Sequence, residues 1–120
     1  MNGRRVLVLV AFGGFFGALS RHAISLVFPA AFPWGTLAVN VLGCFLLGLV
    51  VYETRTRGRI PAAARLFVST GFISSFTTYS TFAGDTLALA PRLAALNIAA
   101  NYGLGFLAVL CAREVVRWRS

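Results

Sequence analysis

Four long apolar stretches, separated by short polar ones, set the pattern of this chain. Residues 6–20, 34–52, 66–84 and 93–112 carry almost no charge. Each is roughly 15 to 20 residues long, close to the ~20 that a helix needs to cross the bilayer core. The first extends to residue 28 if Arg21 and His22 are accommodated. The pattern predicts an all-α integral membrane protein with transmembrane helices over about 5–28, 34–53, 65–84 and 93–112. The four form one membrane domain over 1–120. Pro29 and Pro33 mark the turn between the first two helices, ETRTRGRIPAAAR (53–65) is a basic loop, and 84–92 joins the last two.

Arg4 and Arg5 precede an apolar run, as in a signal peptide. Arg21 follows that run, Ala18-Leu19-Ser20 is a poor small-x-small site, and three further spans come after it. Cleavage is therefore not expected.

Composition supports the membrane reading. In 120 residues, 58% are hydrophobic and 12% charged. A soluble domain of this length cannot hide that much apolar surface. The net charge of +8 is carried by arginine alone, with no lysine. These arginines cluster at helix ends, where they meet headgroups and anionic lipid, so nucleic acid is not an expected partner. Cys44 and Cys111 lie in apolar helices and read as small packing residues, not as a disulfide or a metal pair.

Four spans put both termini and the 53–65 loop on one side. That side holds Arg4, Arg5, Arg55, Arg57, Arg59, Arg65, Arg113, Arg117 and Arg119. The other holds Arg92, offset by Asp85. The positive-inside rule makes both termini cytoplasmic, in one fixed orientation. Gly13 and Gly17 are four apart, a spacing that lets helices approach closely. Gly43 with Gly48, and Gly103 with Gly105, suggest further tight contacts. Four helices of this length enclose little interior volume, so a solute path forms more easily between subunits.

Polar groups in hydrocarbon are costly and are the functional candidates. No span interior holds Asp, Glu or Lys; Glu53, Asp85 and Glu114 all fall at helix ends. A proton-coupled pump needs an intramembrane group that titrates, and a cation path favours carboxylates. Neutral donors stand there instead. Asn40 lies in the second span. Asn97 and Asn101 lie four apart in the fourth. In GFISSFTTYSTF (71–82), Ser75, Tyr79 and Phe82 follow a 4 and 3 spacing that makes one helical ridge, with Thr78 and Thr81 beside it. Amide and hydroxyl donors, with the positive edges of aromatic rings, suit a small, strongly hydrated anion.

Each of these residues also has a purely structural reading. Membrane asparagines often join helices, a reading open to Asn97 and Asn101. A single Ser or Thr usually bonds back to its own helix. From 69 to 81, however, nine hydroxyls crowd one segment. A helix whose carbonyls are contested by so many hydroxyls opens easily, and freed carbonyls make an all-oxygen site for a hard cation. Arg21 either snorkels to the interface or draws anions into a vestibule. His22 reads as interfacial.

Together, GGFFGALSR (13–21), PWGTLAVNVLGCFLLG (33–48), TGFISSFTTYSTF (70–82) and the NIAANYGLG region (97–105) resemble the Fluc (CrcB) family of fluoride channels over nearly the whole chain. The resemblance implies a passive fluoride channel in the plasma membrane, exporting cytoplasmic fluoride, and not an enzyme. It implies an antiparallel dimer with two interfacial pores and a broken third helix. It also implies a structural, non-transported sodium ion at the dimer centre. The backbone carbonyls of Ser74 and Thr77 would hold that ion. Asn40 would be the pore asparagine, Tyr79 and Phe82 the aromatics that fluoride passes, and Arg21 the vestibule arginine. Ser75, Thr78, Asn97 and Asn101 complete the expected pore set. Two features depart from the family pattern: Ser74 and Ser75 stand where glycines are usual, and Tyr79 where Phe is usual.

An antiparallel homodimer needs one sequence to insert both ways, which the arginine bias opposes. The expected partner is a second, oppositely oriented family member, or otherwise a second copy. The rival reading is a small multidrug-type proton-coupled transporter, which needs a carboxylate in its first helix; this first helix has none. A third is an assembly subunit with no pore of its own.

Overall fold

A computed structural model describes residues 1–29 and 31–119, and among them every regular element is helical. Helix α1 spans Gly3–Ser25 and α2 spans Trp34–Thr56. A third helical run begins as α3 (Ala62–Arg65), widens into a π-helix (Leu66–Ile73) and closes with one turn, α4 (Ser74–Phe76). After two extended residues comes α5 (Tyr79–Ala88), and α6 (Pro91–Arg119) ends the chain. Helices α1, α2 and α6 are each long and apolar enough to cross a membrane.

The boundaries follow local chemistry. Asn2 caps α1, its Oδ1 accepting from the Arg5 amide at 2.9 Å. Helix α1 stops at Ser25 instead of reaching 28, where the Ser25 hydroxyl turns back to the His22 carbonyl at 2.6 Å. Pro91 opens α6, a favoured place because its missing N–H is no loss in a first turn. Helix α6 runs seven residues past its expected end at 112. Arg113, Glu114 and Arg117 prolong it with ion pairs along its own surface. At about 1.5 Å per residue it is ~44 Å long, well over the ~30 Å hydrocarbon core.

The helices pack as two pairs, α1 against the third run and α2 against α6. Glycine sets the first pair. A Cβ on Gly13 would collide with the Phe67 carbonyl, and one on Gly17 with the Phe72 carbonyl. The spacing thus serves packing within the chain. Gly48 faces Ala112 and Gly105 faces Cys44 in the second pair, whereas Gly103 meets nothing within 4 Å. At the termini end, Arg57 pairs with Glu53 at 3.1 Å and donates to the Val116 carbonyl at 3.3 Å, tying α2 to α6. The buried core is small: Leu37, Val39, Ile73, Phe76, Phe82, Ala112 and Val116. Most other large apolar side chains, among them Leu7, Phe12, Phe15 and Leu19, point outward. Such an outward apolar surface fits helices long and apolar enough to cross a membrane.

Candidate ion-permeation site

The hydroxyl-rich segment is where the helical ladder stops. Thr77 and Thr78 are both extended, with φ/ψ of −84°/160° and −151°/122°. The last backbone bond before the break runs from the Thr77 amide to the Ile73 carbonyl at 3.0 Å. In a continuous α-helix the Thr78 amide would bond the Ser74 carbonyl, and the Thr81 amide the Thr77 carbonyl. Both donors go elsewhere. The Thr78 N–H donates to Asn40 Oδ1 at 2.8 Å, and the Thr81 N–H to Thr78 Oγ1 at 3.1 Å. The second of these is an N-cap, which starts α5. Gly43 makes room for the bend, since a Cβ there would overlap Thr77 Cγ2.

Asn40 therefore replaces a turn of helix. Besides accepting from Thr78, its Nδ2 donates to the Thr78 carbonyl at 3.2 Å and to Asn101 Oδ1 at 3.1 Å. Asn101 Nδ2 donates to the Asn97 carbonyl at 2.8 Å and to Asn97 Oδ1 at 3.0 Å. Asn97 Nδ2 donates to Thr86 Oγ1 at 2.9 Å, and the Thr86 hydroxyl to the Phe82 carbonyl at 2.7 Å. The sense of this row is dictated at both ends. A backbone N–H can only donate and a backbone carbonyl can only accept. Each amide between them has one allowed orientation.

Asn40, Thr78, Tyr79, Phe82 and Asn101 line one groove of about 320 Å³. Gly43, Cys44, Leu47, Ile73, Thr77 and Tyr102 complete its wall, and no ionisable carboxylate or base is among them. The rings converge here. Tyr79 and Phe82 have centroids 5.8 Å apart, and Phe82 meets Tyr102 edge to face at 6.0 Å. Phe82 is only 7% exposed while Tyr79 is 73% exposed, so the groove opens on the outer face of the single chain.

Two expected pore residues lie elsewhere. Ser75 faces α1: a Cβ on Gly14 would sit 3.2 Å from its Oγ. The ridge inferred from Ser75 to Tyr79 assumed an unbroken helix, and the break at 77–78 changes its phase. Asn97 is wholly buried and holds the second layer of the amide row, behind Asn101. Ser74 is exposed, its hydroxyl donating to the Ser69 carbonyl at 3.1 Å, and the Thr77 hydroxyl donates to Ile73 at 3.0 Å. Arg21 is half-buried and lines a separate cavity of about 230 Å³ with His22, Thr36, Thr78 and Thr81. Near it, the Thr36 hydroxyl donates to the Asp85 carboxylate at 2.9 Å. Arg92 and Asp85, offset in sequence, form no ion pair among the described residues.

Sequence reasoning missed Tyr102, Cys44 and Thr86. Cys44 carries a signal, four residues from Asn40 on the same helical face. Tyr102 follows Asn101 in an apolar stretch, where an aromatic gives none. Thr86 bonds back to its own helix as a lone threonine does, yet it also receives Asn97. Thr86→Val keeps the shape but removes that acceptor. The expected result is a loss of about 1 kcal/mol of stability, read as a lower melting temperature in detergent. An unchanged melting temperature would show that the row does not depend on its last member.

Comparison with known proteins places the chain. Residues 8–113 match the family described as CrcB-like protein, Camphor Resistance (CrcB), and the chain belongs to that family. It is 66% identical over 116 residues to the fluoride-specific ion channel FluC 1 of Natronomonas pharaonis, covering 97% of this chain and 98% of that one. It is 51% identical over 111 residues to FluC 1 of Haloarcula marismortui, covering 92% and 85%. The fluoride-specific ion channel FluC 2 of Symbiobacterium thermophilum is 43% identical over 119 residues, covering 92% and 97%. These relatives are named as ion channels, not as enzymes.

Proposed function

We propose that the chain is a fluoride-selective passive channel that lets cytoplasmic fluoride leave down its electrochemical gradient. The observation that carries this reading is the groove at the break. Amide and aromatic groups from α2, α5 and α6 meet there, without a fixed counter-charge to trap an anion. Asn40, Thr78, Tyr79, Phe82 and Asn101 form the pore wall. Asn97 supports it from behind, Ser75 packs toward α1, and Arg21 draws anions toward Thr78 from the other side. HF enters cells as a neutral acid and dissociates at cytoplasmic pH. The negative-inside potential then drives the anion out, with no ATP or proton site needed. The family relatives' names support the substrate. No observation favours the multidrug-type alternative.

We read the third run and α5 as one membrane-crossing element broken at Thr77–Thr78, giving a fourth span. The open groove calls for a second chain. We propose an antiparallel dimer in the plasma membrane, with both termini of this chain cytoplasmic. The arginine bias favours an oppositely oriented family member as partner, and otherwise a second copy. Ser74 and Thr77 fit the structural sodium of the resemblance. Their carbonyls are those whose helical donors are diverted, and oxygen donors suit a hard monovalent cation. Bound there, sodium would supply the positive charge that balances carbonyls gathered at mid-membrane. Exchange of all sodium for N-methylglucamine is expected to lower the melting temperature of the purified protein, with restoration on adding sodium. No difference between the two cations would remove the sodium site.

The test of function is fluoride release from liposomes holding the purified chain, read with a fluoride electrode and with chloride as control. Fast fluoride-selective release establishes the channel and excludes an obligate heterodimer. No release, either alone or with the co-expressed homologue, overturns the channel reading.

A further inference from the structure

We infer that Arg55 and Arg65 form an anion-gathering entrance at the termini end of the same groove. The ligand is a small hydrated anion, fluoride on the channel reading, on which this inference rests. A cavity of about 500 Å³ opens between α2 and the third run, with Arg55 and Arg65 on its two walls. Thr54, Ser69 and Thr70 also line it. Leu47 is common to this cavity and to the Asn40 groove. On the facing wall, Ser69 lies one helical turn from Ile73, which lines the Asn40 groove. Beyond the break, Thr78 lines both that groove and the Arg21 cavity. Three cavities thus follow one another along the molecule, with arginine at each end and neutral donors in the middle.

The charges at this entrance are uncompensated. Arg57, Arg113 and Arg117 pair with Glu53 or Glu114, whereas Arg55 and Arg65 make no ion pair among the described residues. Arg65 is held in place, its Nη1 donating to the Ile60 carbonyl at 2.9 Å. Two unpaired guanidinium groups beside low-dielectric walls focus a positive field on the cavity. Arginine is also weakly hydrated and always charged, so it attracts an anion without giving up its own proton to it.

The experiment is initial fluoride release from vesicles of neutral lipid, comparing the wild-type chain with the double variant Arg55→Gln and Arg65→Gln. It is run at low and at high concentrations of an impermeant salt. At low salt the variant is expected to release fluoride about 10 times more slowly, at the lower end of the gains from charge focusing. At about 1 M salt, where screening reaches ~3 Å, the two should agree. Chloride exclusion and melting temperature should be unchanged. Equal rates at both salt levels would overturn the entrance. An equal loss at both would also overturn it, since that is the mark of a structural role. Wild-type protein that releases no fluoride, either alone or with an oppositely oriented family member co-expressed, would sink the channel reading itself, which separates the two failures.

Discussion

Replacing Asn40 by aspartate is expected to abolish fluoride release while the protein still folds. The two residues have the same shape, and the new carboxylate can still accept from the Thr78 N–H. It cannot donate to the Thr78 carbonyl or to Asn101 Oδ1. It also sets a negative charge on the wall of the groove. At about 4 Å and an effective dielectric of ~20, repulsion between two unit charges is roughly 4 kcal/mol. That corresponds to about a thousandfold in rate. The measurement is fluoride-electrode release, with melting temperature as the folding control. Release within about tenfold of wild type would mean that the anion does not pass Asn40.

The second large effect comes from Cys44. Cys44 lines the groove one turn from Asn40, and its thiol lies beside Gly105. A group attached there would take up part of the groove that Asn40, Phe82 and Tyr102 also line. Treatment with a small organomercurial is expected to reduce fluoride release to background. The other cysteine, Cys111, is exposed on α6 and is no part of the groove. Cys111→Ala should therefore remain sensitive, and Cys44→Ala should be protected. A Cys44→Ala channel blocked like wild type would place the path elsewhere.

The first experiment rests on a residue legible in the sequence, for a physical reason, whereas Cys44 read only as a packing residue. Asn40, Tyr79 and Asn101 stand out because polar atoms in hydrocarbon need a purpose. The apolar stretches for α1, α2 and α6 were legible from length alone. The third was not one helix. Its hydroxyl content announced instability, but the site of the break depends on Asn40, which arrives from α2 to take the Thr78 amide. That is a long-range event, so helical phase could not be carried from Ser75 to Tyr79. The four-residue spacing of Asn97 and Asn101 was read as two groups on one wall. Instead they stack, one behind the other, because Thr86 on α5 offers Asn97 an acceptor. Helix α6 continues past the apolar stretch that ends at 112, because arginine interrupts hydropathy without interrupting a helix.

The row from the Thr78 amide to the Phe82 carbonyl has an implication for how substitutions combine. Because each amide's orientation is imposed by its neighbour, the row behaves as one coupled unit, not as a set of separable contacts. Removing Thr86 leaves Asn97 without its acceptor, and removing Asn97 leaves Thr86 with nothing to receive. The double substitution should therefore cost little more than the worse single one, a positive epistasis confined to residues in contact. Drift within this lineage would then exchange the members of the row together or leave them all in place.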